Sequence, residues 1–248
     1  MPNRIQLQFN LAISAGSNYV FIGGNFHRIP ENSTIRYTNW ANSMDKSTIR
    51  KQIYTSHGPT LVAPTWFITR KLYDKVGGFH ERLTSGFPED LHFFYKALDV
   101  EDVVFDKVSE DVVMYRYHSG CSTFAVDEKS IWDLRIERIR KDYLEKWSKF
   151  TIWSAGKQGK RFFKSLNESE KEKVIAFGDI DESKIRRGLH EEFNEKERRI
   201  THRIPIIDIK KAVPPLVVCV KLDLTNGDLE KIINEQRWRE HDDLVYFS

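Results

Sequence analysis

Apolar residues recur along the chain with helical spacing in some stretches and in short continuous runs in others. In residues 1–13, Ile5, Phe9 and Leu11 predict an amphipathic helix with those side chains inward. NYVFIGG (18–24) reads as a buried strand ending on glycines, and RIPENSTIRYTNWAN as a Pro- and Asn-rich connection. A polar helix is expected over about 43–54, a short strand at 60–63 and a helix near 69–76 stopped by Gly77. Leu91, Phe94, Tyr95 and Leu98 follow i, i+3, i+4, i+7, so a helix opens at Pro88-Glu89-Asp90. EDVVFDKV and DVVMYRYH have strand composition. Residues 128–148 form a long helix with Ile131, Leu134, Ile136, Ile139, Tyr143 and Trp147 on its apolar face.

Beyond residue 150 short strands and helices alternate. FTIW, KVIAFGDID, PPLVVCVKL and DDLVYFS read as strands, with helices in KRFFKSL and NGDLEKIINEQ. The charge-rich stretch 182–203, including EEFNEKERR, reads as an exposed loop. The expectation is an α/β protein with a boundary near 150, giving units 1–149 and 150–248.

Composition narrows the class. With 39 basic and 36 acidic residues the net charge is only +3, so no strong field points to nucleic acid or a membrane. The two cysteines, Cys121 and Cys219, are far apart, which excludes a disulfide scaffold or a Cys-based zinc site. No apolar run has the length of a membrane span, and no secretory signal opens the chain, so a cytoplasmic location is expected.

The chemistry concentrates at Glu89 and Asp90. Carboxylates at a helix start are stabilised by free N–H groups and the helix dipole, so one reading is a simple cap. The other is a general base fixed on a rigid element below a glycine loop and held ionised by the helix start. Spacing leaves both open.

GGFHERLTSGFPEDLHFFYKAL, preceded by PTWFITRKLYDKV and followed by VVMYRYHSGCST, resembles the second half of the family-2 glycosyltransferases, which have the GT-A fold. The resemblance implies transfer of a sugar, with GlcNAc the expected one, from a UDP-sugar donor to a carbohydrate hydroxyl with inversion. It implies Asp90 as catalytic base with Glu89 in support, and Gly77 and Gly78 in the turn that leads to the acceptor loop. His118 falls where family members place a histidine near the metal and diphosphate, though a lone histidine is more often structural. Trp66 could stack on the acceptor sugar or lie in the core. The family holds a divalent metal, Mn or Mg, on an Asp-x-Asp in an upstream donor half. Here the sole Asp-x-Asp, Asp179-Ile180-Asp181, lies in the C-terminal part. The chain alone is therefore expected to be inactive and to expose apolar surface. IWSAGKQGKRFF resembles a Rossmann turn with Ser154 in place of the first glycine, Gly156 and Gly159 retained, and Asp179 at the distance of a ribose-binding acid. A unit that only packs, or an inactive module that binds carbohydrate or nucleotide, is the alternative.

Overall fold

A computed structural model describes residues 1–55, 58–81, 86–221 and 225–248. The protein is mixed α/β and divides into two units, Met1–Arg135 and Ile136–Ser248.

In the first unit, helix α1 (Arg4–Ser14) precedes strand β1 (Val20–Ile29) and helix α2 (Ile35–Ser43). Strand β2 (Phe67–Ile68) and helices α3 (Arg70–Val76) and α4 (Glu89–Leu98) follow, then strand β3 (Val104–Arg116) and helix α5 (Glu128–Ile139), which crosses into the second unit. The three-stranded sheet has the order β2-β1-β3, with β1 antiparallel to β2 and parallel to β3. Alternation along β1 sets its two faces. Val20 and Ile22 pack with Leu7, Leu11 and Ala12 of α1. Phe21, between them, meets Phe94 of α4 edge-on, with ring centroids 5.6 Å apart. Helix α4 buries Leu91, Phe94, Tyr95 and Leu98 as the spacing predicts, and also Phe93. Gly77 ends α3 in the left-handed conformation, φ +85°, which a residue without Cβ adopts freely.

Four local expectations fail for physical reasons. Helix α1 turns Leu11 inward as expected, but Ile5 and Phe9 are exposed, with Ile13, while Gln8 is buried. The Gln8 amide donates to the carbonyls of Thr65 (2.6 Å) and Gly23 (3.2 Å), and those bonds fix the rotation. The helix expected at 43–54 lies earlier, at Ile35–Ser43, and 44–55 is turn. The Asp45 carboxylate accepts from the Thr48 N–H (2.8 Å) and the Ser47 hydroxyl (2.7 Å), a local turn that competes with helix. The strand at 60–63 gives way to a 3-10 turn, Ala63–Thr65, because Pro64 has no N–H to donate. The charge-rich segment is ordered, as described next.

The second unit contains strand β4 (Phe150–Trp153), helices α6 (Lys157–Lys164) and α7 (Glu168–Lys171), strand β5 (Val174–Asp179) and helix α8 (Glu182–Arg187). The hairpin β6 (Leu189–Asn194) and β7 (Arg199–Asp208), strand β8 (Leu216–Val218), helix α9 (Asp228–Gln236) and strand β9 (Leu244–Tyr246) complete it. Residues 182–203 thus form a helix and a hairpin rather than a loop. β6 lies at a sheet edge, where charged cross-strand pairs such as Arg203–Glu191 (3.0 Å) are tolerated. The six strands run β6-β7-β5-β4-β8-β9, and all but β6 are parallel to their neighbours. Counted in chain order, the five parallel strands stand 3-2-1-4-5, the order of doubly wound sheets.

The division falls earlier than residue 150 because the tail of the long helix belongs to the second unit. Arg140 pairs with Glu170 (2.5 Å), and the Lys173 ammonium donates to the Leu144 carbonyl (2.7 Å). Among the described residues no helix is long and apolar enough to cross a membrane.

Candidate functional site

A cavity of about 800 Å³ opens in the first unit, at the upper end of the range of small-molecule sites. Its walls bring together residues distant in sequence: Arg28 near the end of β1, Tyr37 of α2, Glu89 and Asp90 at the start of α4, and Tyr115 and Tyr117 at the end of β3. Register accounts for part of this, since Arg28 and Tyr115 are direct partners across the parallel β1–β3 pair.

Asp90 is partly buried and Glu89 exposed, so the two carboxylates have different surroundings. Desolvation pushes the Asp90 carboxyl above its ordinary value, and the Glu89 charge adds to this. The Leu91 N–H, 2.7 Å from Asp90 Oδ1, acts the other way. The helix start does not win: burial outweighs it, and Asp90 holds a proton more tightly than a free aspartate. A carboxylate of raised basicity facing a cavity suits proton abstraction.

Arg28 is the second notable group. It is only 8% exposed. Its guanidinium carbon lies over Tyr117 at 4.5 Å, Tyr115 at 5.0 Å, Tyr37 at 5.4 Å and Phe26 at 5.7 Å, measured to the ring centroids. The Nε donor has no hydrogen-bond partner, and no carboxylate among the described residues pairs with this cation. Sequence reasoning passed over Arg28. The signal available was its inward place in the alternation Phe26-x-Arg28, where a charge is unusual.

The other expected residues lie outside this lining. Trp66 stands in an aromatic cluster, stacked with Phe79 at 6.3 Å and donating its indole N–H to the Leu61 carbonyl (2.7 Å). Gly77 and Gly78 shape the turn after α3, and residues 82–85 of the expected acceptor loop lie outside the described residues. His118 is exposed, and its Nδ1 accepts the N–H of Gly120 (3.1 Å). Among the described residues no three His, Cys, Asp or Glu side chains gather as a cation site. His118, the one residue expected there, is exposed and engaged by the Gly120 N–H and does not fit a metal centre.

In the second unit a cavity of about 340 Å³ lies where β4, β5 and β8 end, lined in part by Trp153, Ser154, Asp179, Lys184 and Asn226. Doubly wound sheets bind ligands at this switch point, beside the first strand. Ser154 takes φ +120°, a conformation that favours glycine, at the position where the Rossmann pattern has one. Gly159 allows α6 to approach the turn: a Cβ there would sit 1.9 Å from the Ser154 carbonyl oxygen. Asp179 is buried and already engaged, accepting from the N–H groups of Ala155 (2.9 Å) and Asp181 (3.0 Å) and pairing with Lys184 (3.1 Å). A ribose hydroxyl would have to displace one of these partners. Gly156 and Gly159 do not line the cavity, while Asp179 does.

No family model matches the chain, and no solved structure matches it.

Proposed function

We propose that the first unit is the acceptor side of an inverting glycosyltransferase of the GT-A, family-2 type, and the second a Rossmann-like unit joined to it. The observation that carries the reading is Asp90, a carboxylate of raised proton affinity at a helix start, facing a cavity of about 800 Å³. Asp90 takes the proton of an acceptor hydroxyl as that oxygen attacks the anomeric carbon of a UDP-sugar, GlcNAc being the expected sugar. The new C–O bond forms as the bond to the diphosphate breaks, and the configuration inverts. Glu89, exposed beside it, raises the basicity of Asp90 through its charge.

The test replaces Asp90 with Asn in a polypeptide that also carries an Asp-x-Asp donor half upstream. Transfer from UDP-GlcNAc is expected to fall by at least a hundredfold, in line with loss of a general base, with folding intact. Turnover within a few-fold of the unsubstituted protein would refute the assignment.

A second reading rests on the 3-2-1-4-5 strand order and the cavity at its switch point. On this reading the chain is a binding module that holds a nucleotide in the second unit without catalysis. Calorimetric titration with UDP, UDP-GlcNAc and NAD separates the two. Nucleotide binding abolished by Asn226→Trp and untouched by Asp90→Asn would favour the module.

A further inference from the structure

We infer that the cavity of the first unit takes an acidic carbohydrate, whose carboxylate or phosphate oxygens are bound by Arg28. The inference rests on the proposed acceptor role of that cavity and names the substrate class. Arg28 is buried, faces the cavity, and lacks both a hydrogen bond at Nε and an ion-pair partner among the described residues. Rings of Phe26, Tyr37, Tyr115 and Tyr117 attract the guanidinium by their π faces. Stacking leaves the in-plane N–H donors unused. A buried cation of this kind calls for a planar or tetrahedral anion that accepts two parallel N–H bonds.

Charge in the rest of the cavity sets the orientation. Glu89 and Asp90 also line it and repel an anion, so the acidic group has one favourable place, at Arg28. A sugar anchored there by its carboxylate presents its neutral hydroxyls to the remaining walls, Asp90 among them. Specificity follows from the same arrangement, because a neutral sugar would leave the buried guanidinium unpaired. An alternative source of anionic oxygens is the diphosphate of a nucleotide donor, and the test keeps the two apart.

The experiment is calorimetry on the full chain with three probes: a disaccharide ending in glucuronic acid, its glucose counterpart, and UDP. The acidic disaccharide is expected to bind at least tenfold tighter than the neutral one. Arg28→Met should remove that preference, and Arg28→Lys should keep part of it, because charge persists without the planar fork. Equal affinities, no binding of either sugar, or a preference that survives Arg28→Met would overturn the inference. So would UDP binding that depends on Arg28 without any preference between the sugars. Thermal melting of both variants guards against misfolding: a purely structural arginine would lower the midpoint and leave the acid-to-neutral ratio unchanged. Asp90→Asn separates this inference from the catalytic one. An acidic preference with no transfer in any form would leave Arg28 standing and remove the glycosyltransferase reading, whereas transfer without acidic preference would do the reverse.

Discussion

Asp90 shows how one side chain links stability to function. Its carboxyl has a higher proton affinity in the folded chain than the ordinary aspartate value of 3.8. Below that value folded and unfolded chains are both protonated at this site, and the site contributes nothing to pH dependence. As pH rises from there, the unfolded chain ionises first, so stability falls until the folded carboxyl has ionised as well. Asp90→Asn should therefore raise the melting midpoint at pH 7, and the gain should disappear as pH is lowered below about 3.8. Melting curves of the two proteins between pH 3 and pH 8 check this, and a variant less stable at pH 7 would show that the buried charge is compensated. Transfer should have an acidic limb at the folded proton affinity, since only the ionised form accepts the hydroxyl proton. This residue was legible in the sequence because Pro-Glu-Asp before an apolar stripe is a local signal. Arg28 had only its inward place in β1 as a signal: its importance comes from Tyr37 of α2, Tyr115 at the end of β3, Tyr117 just beyond it and Phe26 of its own strand, and only Phe26 is near it in sequence.

At the scale of elements, the strand-to-helix turn after β4 joins an unfavourable local conformation to a close approach. Ser154 occupies φ +120°, and α6 begins two residues beyond its neighbour Ala155 with Gly159 against the Ser154 carbonyl. Ser154→Gly should stabilise the protein by about 1 kcal/mol, the relief of strain exceeding the loss of one Ser154 Oγ bond to the Gly156 N–H. Gly159→Ala should destabilise it by about 3 kcal/mol or more, because the intruding methyl meets backbone, which cannot rotate away. Urea denaturation of both variants measures the contrast, and similar effects of the two would mean that the turn is freer than its geometry implies. Secondary structure was legible where the pattern was strong, as in β4, β5 and α4. It failed where side chains formed local bonds to the backbone, as at Asp45, and at Gln8 the helix was right but its buried face was not, because distant carbonyls bury a polar group there. It also failed in β6 and β7, whose edge position permits charges that a central strand would not.

At the scale of the molecule, the division within the long helix decides which fragment can stand alone. A boundary drawn from sequence at 150 treats residues 136–149 as the end of the first unit. The packing assigns them to the second, where Ile136, Ile139 and Leu144 are buried and Arg140 neutralises Glu170, whose side chain is only 5% exposed. Removing this segment takes away three apolar side chains and leaves Glu170 without its arginine. The apolar part alone is worth several kcal/mol, at about 1.5–3 kcal/mol for each buried side chain. A fragment of residues 136–248 is therefore expected to unfold cooperatively and to be more stable than residues 150–248 by about 3 kcal/mol or more. Near-ultraviolet circular dichroism should separate them further, because Trp153 meets Trp238 edge-on in the intact unit, with ring centroids 6.0 Å apart. Comparing the two fragments in urea tests the placement directly. Equal stability would return the boundary to residue 150 and make the helix tail a connector. A clear deficit in the shorter fragment would show that the second unit needs the tail, and that any fragment used for nucleotide titration must begin at residue 136 or earlier.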